Sequence, residues 1–251
     1  MAQSPKKKAI GPLEGEVVRI QVSGDLADPA SSRKVLTDPD VGRGRFGAVV
    51  RQVTPQGPVT QLHQADGFVI ALGTTRVDVL VEIPEEAQKT FREAFGYVQD
   101  RMKRFSALLK KNAANRAEWI GIVATVHVKD TAAKSKLEAA FNWARRMDFP
   151  LLPSKELSGF LYQVGGRDSK FELNRLLQIS GFSQHLATME QNGVVVMQAE
   201  GAVFGVEFLF DVNDKPAGQK GEFWKKVTKI SPQMEAGIKE FMMSGGTSWT
   251  S

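Results

Sequence analysis

The 251-residue chain has no cysteine. That one absence removes disulfides, thiolate nucleophiles, zinc–thiolate sites and iron–sulfur clusters, and it fits a cytoplasmic protein. Histidine is scarce: His63, His127 and His185 are the full set. No two of them stand four residues apart and there is no HExxH, so the helical metal-ligand pattern is missing. No apolar run approaches the ~18–20 residues that a bilayer-spanning helix needs. The start, MAQSPKKKAIGP, has a basic cluster with no apolar stretch behind it and does not read as a secretory signal. GxSxG, SxxK and the kinase signatures are absent, and nothing marks a cofactor or a metal site. Catalytic groups can still assemble from distant segments, so these absences lower the weight of an enzymatic reading without excluding it.

What is present describes an ordinary globular chain, 42% hydrophobic and 24% charged, long enough for one large domain or two small ones. The 33 basic residues exceed the 28 acidic ones, a net of +5. That surplus permits contact with a polyanion and does not require it.

Two stretches share an order of features. Residues 76–83 (RVDVLVEI) alternate and run into a long amphipathic segment; residues 206–212 (VEFLFDV) alternate and lead to a terminal helical segment. In the first, Val77, Val79, Val81 and Ile83 share a face, as a half-buried strand requires. Phe91, Ala94, Phe95, Val98, Met102, Phe105, Leu108 and Leu109 then recur at steps of three and four. They predict a helix over 84–112, opened by Pro84 and carrying Glu85 and Glu86 at its positive end.

The remaining pattern predicts strands at 16–22, 46–53, 61–72 and 118–128, the last apolar on both faces and therefore central. Val18, Ile20 and Val22 should form the buried face of the first. Residues 23–45, with Pro29 and Pro39, read as a long irregular connection. A helix follows at 131–147, N-capped by Asp130, with Leu137, Ala140, Phe141, Ala144 and Met147 as its stripe. Further strands are expected at 158–164, 171–179, 184–191, 194–200 and 203–212, with Asn192 and Gly193 as a hairpin turn. Residues 219–243 read as helix, broken or kinked at Ser231 and Pro232.

Strands mostly follow strands. The expected fold is therefore α+β: a mainly antiparallel sheet covered by helices, in two layers, with two pseudo-repeated meander-plus-helix halves at 16–112 and 119–243. Residues 1–15 are expected to form a disordered basic tail, 16–243 a single domain and 244–251 a frayed tail.

Candidate chemistry is thin. The GRGRFG motif at 42–47 places Arg43 and Arg45 among glycines, where backbone amides and guanidinium groups can meet a phosphate and Phe46 can stack on a base. It lacks the Lys-Ser/Thr of a P-loop, and a solvated loop entering a strand, with Phe46 in the core, is the simpler explanation. Gly165 and Gly166 read as a hairpin turn. Lys6, Lys7 and Lys8 form a possible anion-contacting arm or a solubilising tail. His127, on a strand among apolar neighbours, reads as a hydrogen-bonded, half-buried histidine. Asp211, Asn213 and Glu222 match three positions of a calcium loop, but Lys215 and Pro216 fall where an oxygen ligand and a glycine are needed.

The expected role is a non-catalytic binding or assembly protein. Its partner is another protein, a copy of itself, or a nucleic acid held through Lys6, Lys7, Lys8, Arg43, Arg45 and Phe46. The alternative is an enzyme acting on a phosphate-bearing substrate, with His63 or His185 as base.

Overall fold

The computed structural model describes residues 11–43, 47–55, 57–64, 67–112, 114–147, 159–189, 195–215, 220–246 and 249. The chain opens with β1 (Glu16–Leu26), which lies antiparallel to β6 (Arg116–Lys129). The register slips between Val17 and Arg19, so one extra residue sits on β1. That bulge changes the phase of the alternation. Val17 therefore turns inward with Ile20, Val22 and Leu26, in place of the expected Val18.

Residues 27–43 are not irregular. Asp28 caps α1 (Pro29–Leu36) and Asp38 caps α2 (Pro39–Gly42), each carboxylate accepting a backbone N–H two residues on. The two prolines occupy first-turn positions, where a missing N–H costs nothing and the fixed φ suits a helix. They open elements and break none.

A meander follows: β2 (Ala48–Thr54), β3 (Gly57–His63), β4 (Phe68–Leu72) and β5 (Arg76–Glu82), each antiparallel to the next. The single strand expected at 61–72 is two, divided by a turn in which Gly67 has φ 76°. In β5, Val77, Val79 and Val81 are fully buried, and Ile83 beside them nearly so.

α3 (Phe91–Lys111) buries the eight apolar residues that the periodicity picks out. It begins seven residues later than Pro84 suggests, because the Thr90 hydroxyl accepts the Glu93 N–H and donates to the Glu93 carboxylate, and a separate 3-10 turn occupies Glu85–Ala87. α4 (Lys136–Arg146) is displaced in the same way, capped by Ser135 with Glu138 three residues on. Its buried residues are Ala139, Ala140, Trp143 and Ala144, so Trp143 replaces Phe141 and Leu137 in the core-facing stripe.

β7 (Leu161–Asp168), β8 (Leu173–Met189) and β9 (Val195–Asn213) complete the sheet, and β10 (Gly221–Glu222) pairs with β6. Gly165 and Gly166 lie inside β7, paired to Leu176 and Arg175, and form no turn. The four short strands expected between 171 and 212 are two long ones. Asn192 and Gly193, the expected turn, lie outside the described residues.

α5 (Phe223–Met243) runs through Pro232 as one helix. Proline has no N–H for the Thr228 carbonyl, and the Ser231 hydroxyl donates to that oxygen at 3.4 Å instead. Ser231 is thus a partner to the gap and not the N-cap of a second helix.

The strand order is β2-β3-β4-β5-β1-β6-β9-β8-β7, antiparallel throughout. One face carries the core. Ile20, Val22, Val79, Ile122, Phe208 and Phe210 are all fully buried on that face, with Val79, Val22 and Ile122 in one cross-strand row. Helices α3, α4 and α5 cover that face, which makes two layers. Phe208 meets the rings of Trp143, Phe210 and Phe241 at centroid distances of 5.5, 6.3 and 5.2 Å. Trp249, in the expected frayed tail, is 5% exposed and lies 4.7 Å from the Phe210 ring. At the other end, Leu13 donates its N–H to the Met242 carbonyl, and packed chain reaches back into the expected tail. Both halves place a first strand against the last strand of the following meander, β1 against β5 and β6 against β9. One meander has four strands and the other three, and no duplication follows from that order. No described helix is long and apolar enough to cross a membrane.

Candidate functional site

The residues that flank each buried position point to the face of the sheet away from the helices; there polar side chains gather beside apolar ones such as Leu80, Val123 and Leu209. Across β5, β1, β6 and β9 one cross-strand row holds Asp78, Ser23, Gly121 and Asn213. Ser23 donates to Asp78 Oδ1 at 2.6 Å and Gln21 donates to the same oxygen at 3.2 Å. Arg76 binds both oxygens of Asp78, and this hydrogen-bonded pairing raises the arginine's pKa. Trp119 donates its indole N–H to Asp25 at 2.6 Å. Arg76 and Lys215 both lie over the Trp119 ring, at 5.8 and 5.1 Å from its centroid. Burial pushes the Asp211 carboxyl upward, against a smaller opposing effect of the Asn213 amide, which donates to it.

Further along the same face, Glu207 accepts from Ser180 at 3.4 Å and pairs with His127 at 3.1 Å. The hydrogen bond from His127 is the main reason the Glu207 pKa is lowered. The His127 ring also stacks on Phe182 with centroids 3.9 Å apart. His127 is the half-buried, hydrogen-bonded histidine that its strand position suggests. The carboxylate stands between serine and histidine. A nucleophilic serine needs the imidazole next to it, so this order holds side chains in place and does not activate one.

A second feature is a cleft of ≈ 880 Å³ between the start of α3 and the end of α5, floored by Val17 and Val126. Phe91, Ile238 and Met242 line it, and ion pairs Arg92–Glu235 (2.9 Å) and Lys129–Glu16 (2.8 Å) border it. Its volume suits a small molecule. Basic and acidic side chains mix around an apolar floor, so its chemistry selects neither sign of charge.

The third feature is the sheet edge at β2. All residues from Ala48 to Val53 are exposed, on both faces of the strand. Val49 is 42%, Val50 39% and Val53 90% exposed. β3 pairs with one side of β2, and no described strand pairs with the other. The valine-rich run with one charge was visible in the sequence. Its position at an edge was not, because strand order depends on long-range pairing.

Of the residues singled out for anion binding, Arg43 is exposed at the C-cap of α2. Lys6, Lys7, Lys8, Arg45 and Phe46 lie outside the described residues. His63 stands on β3 and is bonded to Gln61 at 2.9 Å. Four inter-strand spacings separate β3 from β6, roughly 19 Å, so His63 and His127 do not form a common site. The His185 side chain is outside the described residues. Among the described residues no group of three or more His, Asp or Glu could hold a metal ion. Compared with known proteins, the chain matches no protein-family model and no curated protein.

Proposed function

We propose that the chain is a non-catalytic binding or assembly protein of the cytosol whose partner is a protein, taken up along strand β2. The exposed edge supports this reading. Native edges are blunted by charge, proline, bulges or short length. β2 has one charge, Arg51, no proline, and an unbroken register with β3 over seven residues. An edge of that kind offers a row of backbone donors and acceptors to an added strand, the mode of recognition by β-augmentation. The polar groups of the open face, by contrast, are largely engaged with one another. That suits a fixed surface better than proton transfer.

The test is what the purified native chain carries and does. A 260/280 nm absorbance ratio typical of protein alone, with no release of phosphate from nucleotides or phosphomonoesters, is expected. Nucleic acid that copurifies, or binding to single- or double-stranded DNA or RNA at ~50 mM salt that weakens with salt, would replace the protein partner by a polyanion. Phosphate release would move the reading to an enzyme.

A further inference from the structure

From the β2 edge, and resting on the assembly reading above, we propose that the partner is a second copy of this chain. Its β2 pairs antiparallel with the first across a twofold axis normal to the sheet, extending the sheet through both subunits. Three observations select a copy over an arbitrary peptide. Three of the six large hydrophobic residues that stand exposed among the described residues are on this strand. The strand is self-complementary, because Val49 and Val53 lie symmetrically about Arg51. Its one charge also means that self-pairing creates a single like-charge contact.

The register follows from the same residues. Val49 is opposite Leu62, which is fully buried on the helix-covered side, so Val49, Arg51 and Val53 share that side while Val50 and Gln52 lie on the open side. A twofold axis normal to the sheet keeps each face continuous, so odd residues meet odd ones. Centring the pair on Arg51 uses all seven residues, about 24 Å of strand. It sets Val49 against Val53 of the second copy, twice, and covers the most exposed valine. Shifting by two residues would separate the arginines but leave Val53 facing Gly47 or Val49 facing Pro55. Two exposed guanidinium groups ~5 Å apart in water repel only weakly, and added salt weakens that further. The contact is small beside the 1,200–2,000 Å² of stable interfaces, so association is expected in the micromolar range.

The experiment is sedimentation of the full chain across concentration at about 0.05 and 0.5 M salt, with disulfide trapping. The chain's lack of cysteine gives the trapping no background. The expected result is a concentration-dependent dimer that tightens with salt. Arg51→Thr should tighten it about two- to fivefold, because it removes the one repulsion. Val53→Lys should weaken it about tenfold or more, since it adds charge to a sheet edge. An equal mixture of Val49→Cys and Val53→Cys chains should form a disulfide between the two variants. A wild-type chain and an Arg51→Thr chain that both stay monomeric up to ~1 mM would overturn the proposal and leave the broader reading with a different protein partner. A dimer that fails to trap between positions 49 and 53 would place the contact elsewhere, which overturns β2 pairing while self-assembly stands.

Discussion

The two ends of the sheet are built differently. At the β7 end, α4 packs over β8 and β9, and Tyr162 and Val164 of β7 rest against the core. β7 itself carries Gly165 and Gly166 in mid-strand, and its end is charged, with Asp168 bonded to Arg175 at 2.8 Å. At the β2 end no helix is closely packed over the strand, and the side chains that stand out are valines. Glycine pairs and charge weaken an edge as a template, whereas β-branched residues strengthen it. The sheet is therefore anchored and guarded at one end and open at the other.

The largest effects that test this contrast lie in the aromatic core of the anchored half. Phe208→Ala should cost about 3–5 kcal/mol, because the ring is fully buried among three others. Val53→Thr at the open end should change stability by less than about 0.5 kcal/mol. Chemical denaturation of the two variants checks the ratio, and comparable losses would mean that β2 is covered in solution. Next, Trp249→Ala should cost about 3 kcal/mol, since the ring fills a site against Phe210 and the α-carbon of Gly237. A loss near zero would return the C-terminal segment to the frayed state that its composition suggests.

Much of the fold was legible because burial imposes a period. The eight buried residues of α3 and the valines of β5 could be read at steps of three to four and of two. What was missed depended on caps and on contacts distant in sequence. Pro84 looked like a helix start, but the Thr90–Glu93 and Ser135–Glu138 pairs hold the real starts. The long strands β8 and β9 read as fragments because Gly181, and Gly201 with Ala202, fall between the expected segments. A side chain at Gly181 would collide with the Lys136 carbonyl, and one at Gly205 with the Val128 carbonyl, so those glycines serve close backbone approach. Trp249 gave no periodic signal in the sequence. The edge at β2 needed the strand order, and no local pattern supplies that.

Smaller effects separate the competing helix starts. Thr90→Ala should lower stability by about 1 kcal/mol, because it leaves the Glu93 N–H without its N-cap acceptor. Pro84→Ala, seven residues before α3, should change it by less than about 0.5 kcal/mol. The opposite ranking would put the start of α3 back at Pro84.

The last effect concerns how the open end is held. The chain reaches β2 through α1 and α2, and Asp38, only 4% exposed, ties them to the end of α3. It accepts from the Asn112 amide at 2.9 Å and pairs with Lys111 at 3.0 Å. The Asn112 hydrogen bond, then the Asp40 N–H and Lys111, hold its carboxyl down from 3.8 to about 2, outweighing the upward push of desolvation. A carboxyl whose folded pKa is depressed contributes stability that is fully present above its unfolded value and is lost as pH falls through the folded one. The contribution should therefore be complete above pH ~5, decline below ~4 and be gone only once the pH is well below ~2. The stability difference between the native chain and Asp38→Asn should follow that window. Asn112→Ala should raise the Asp38 pKa in an NMR titration, because it removes the largest of the lowering contacts. An Asp38 that titrates at its ordinary value in the native chain would mean that this tie is not made, and that the route into β2 is as loose as the edge it leads to.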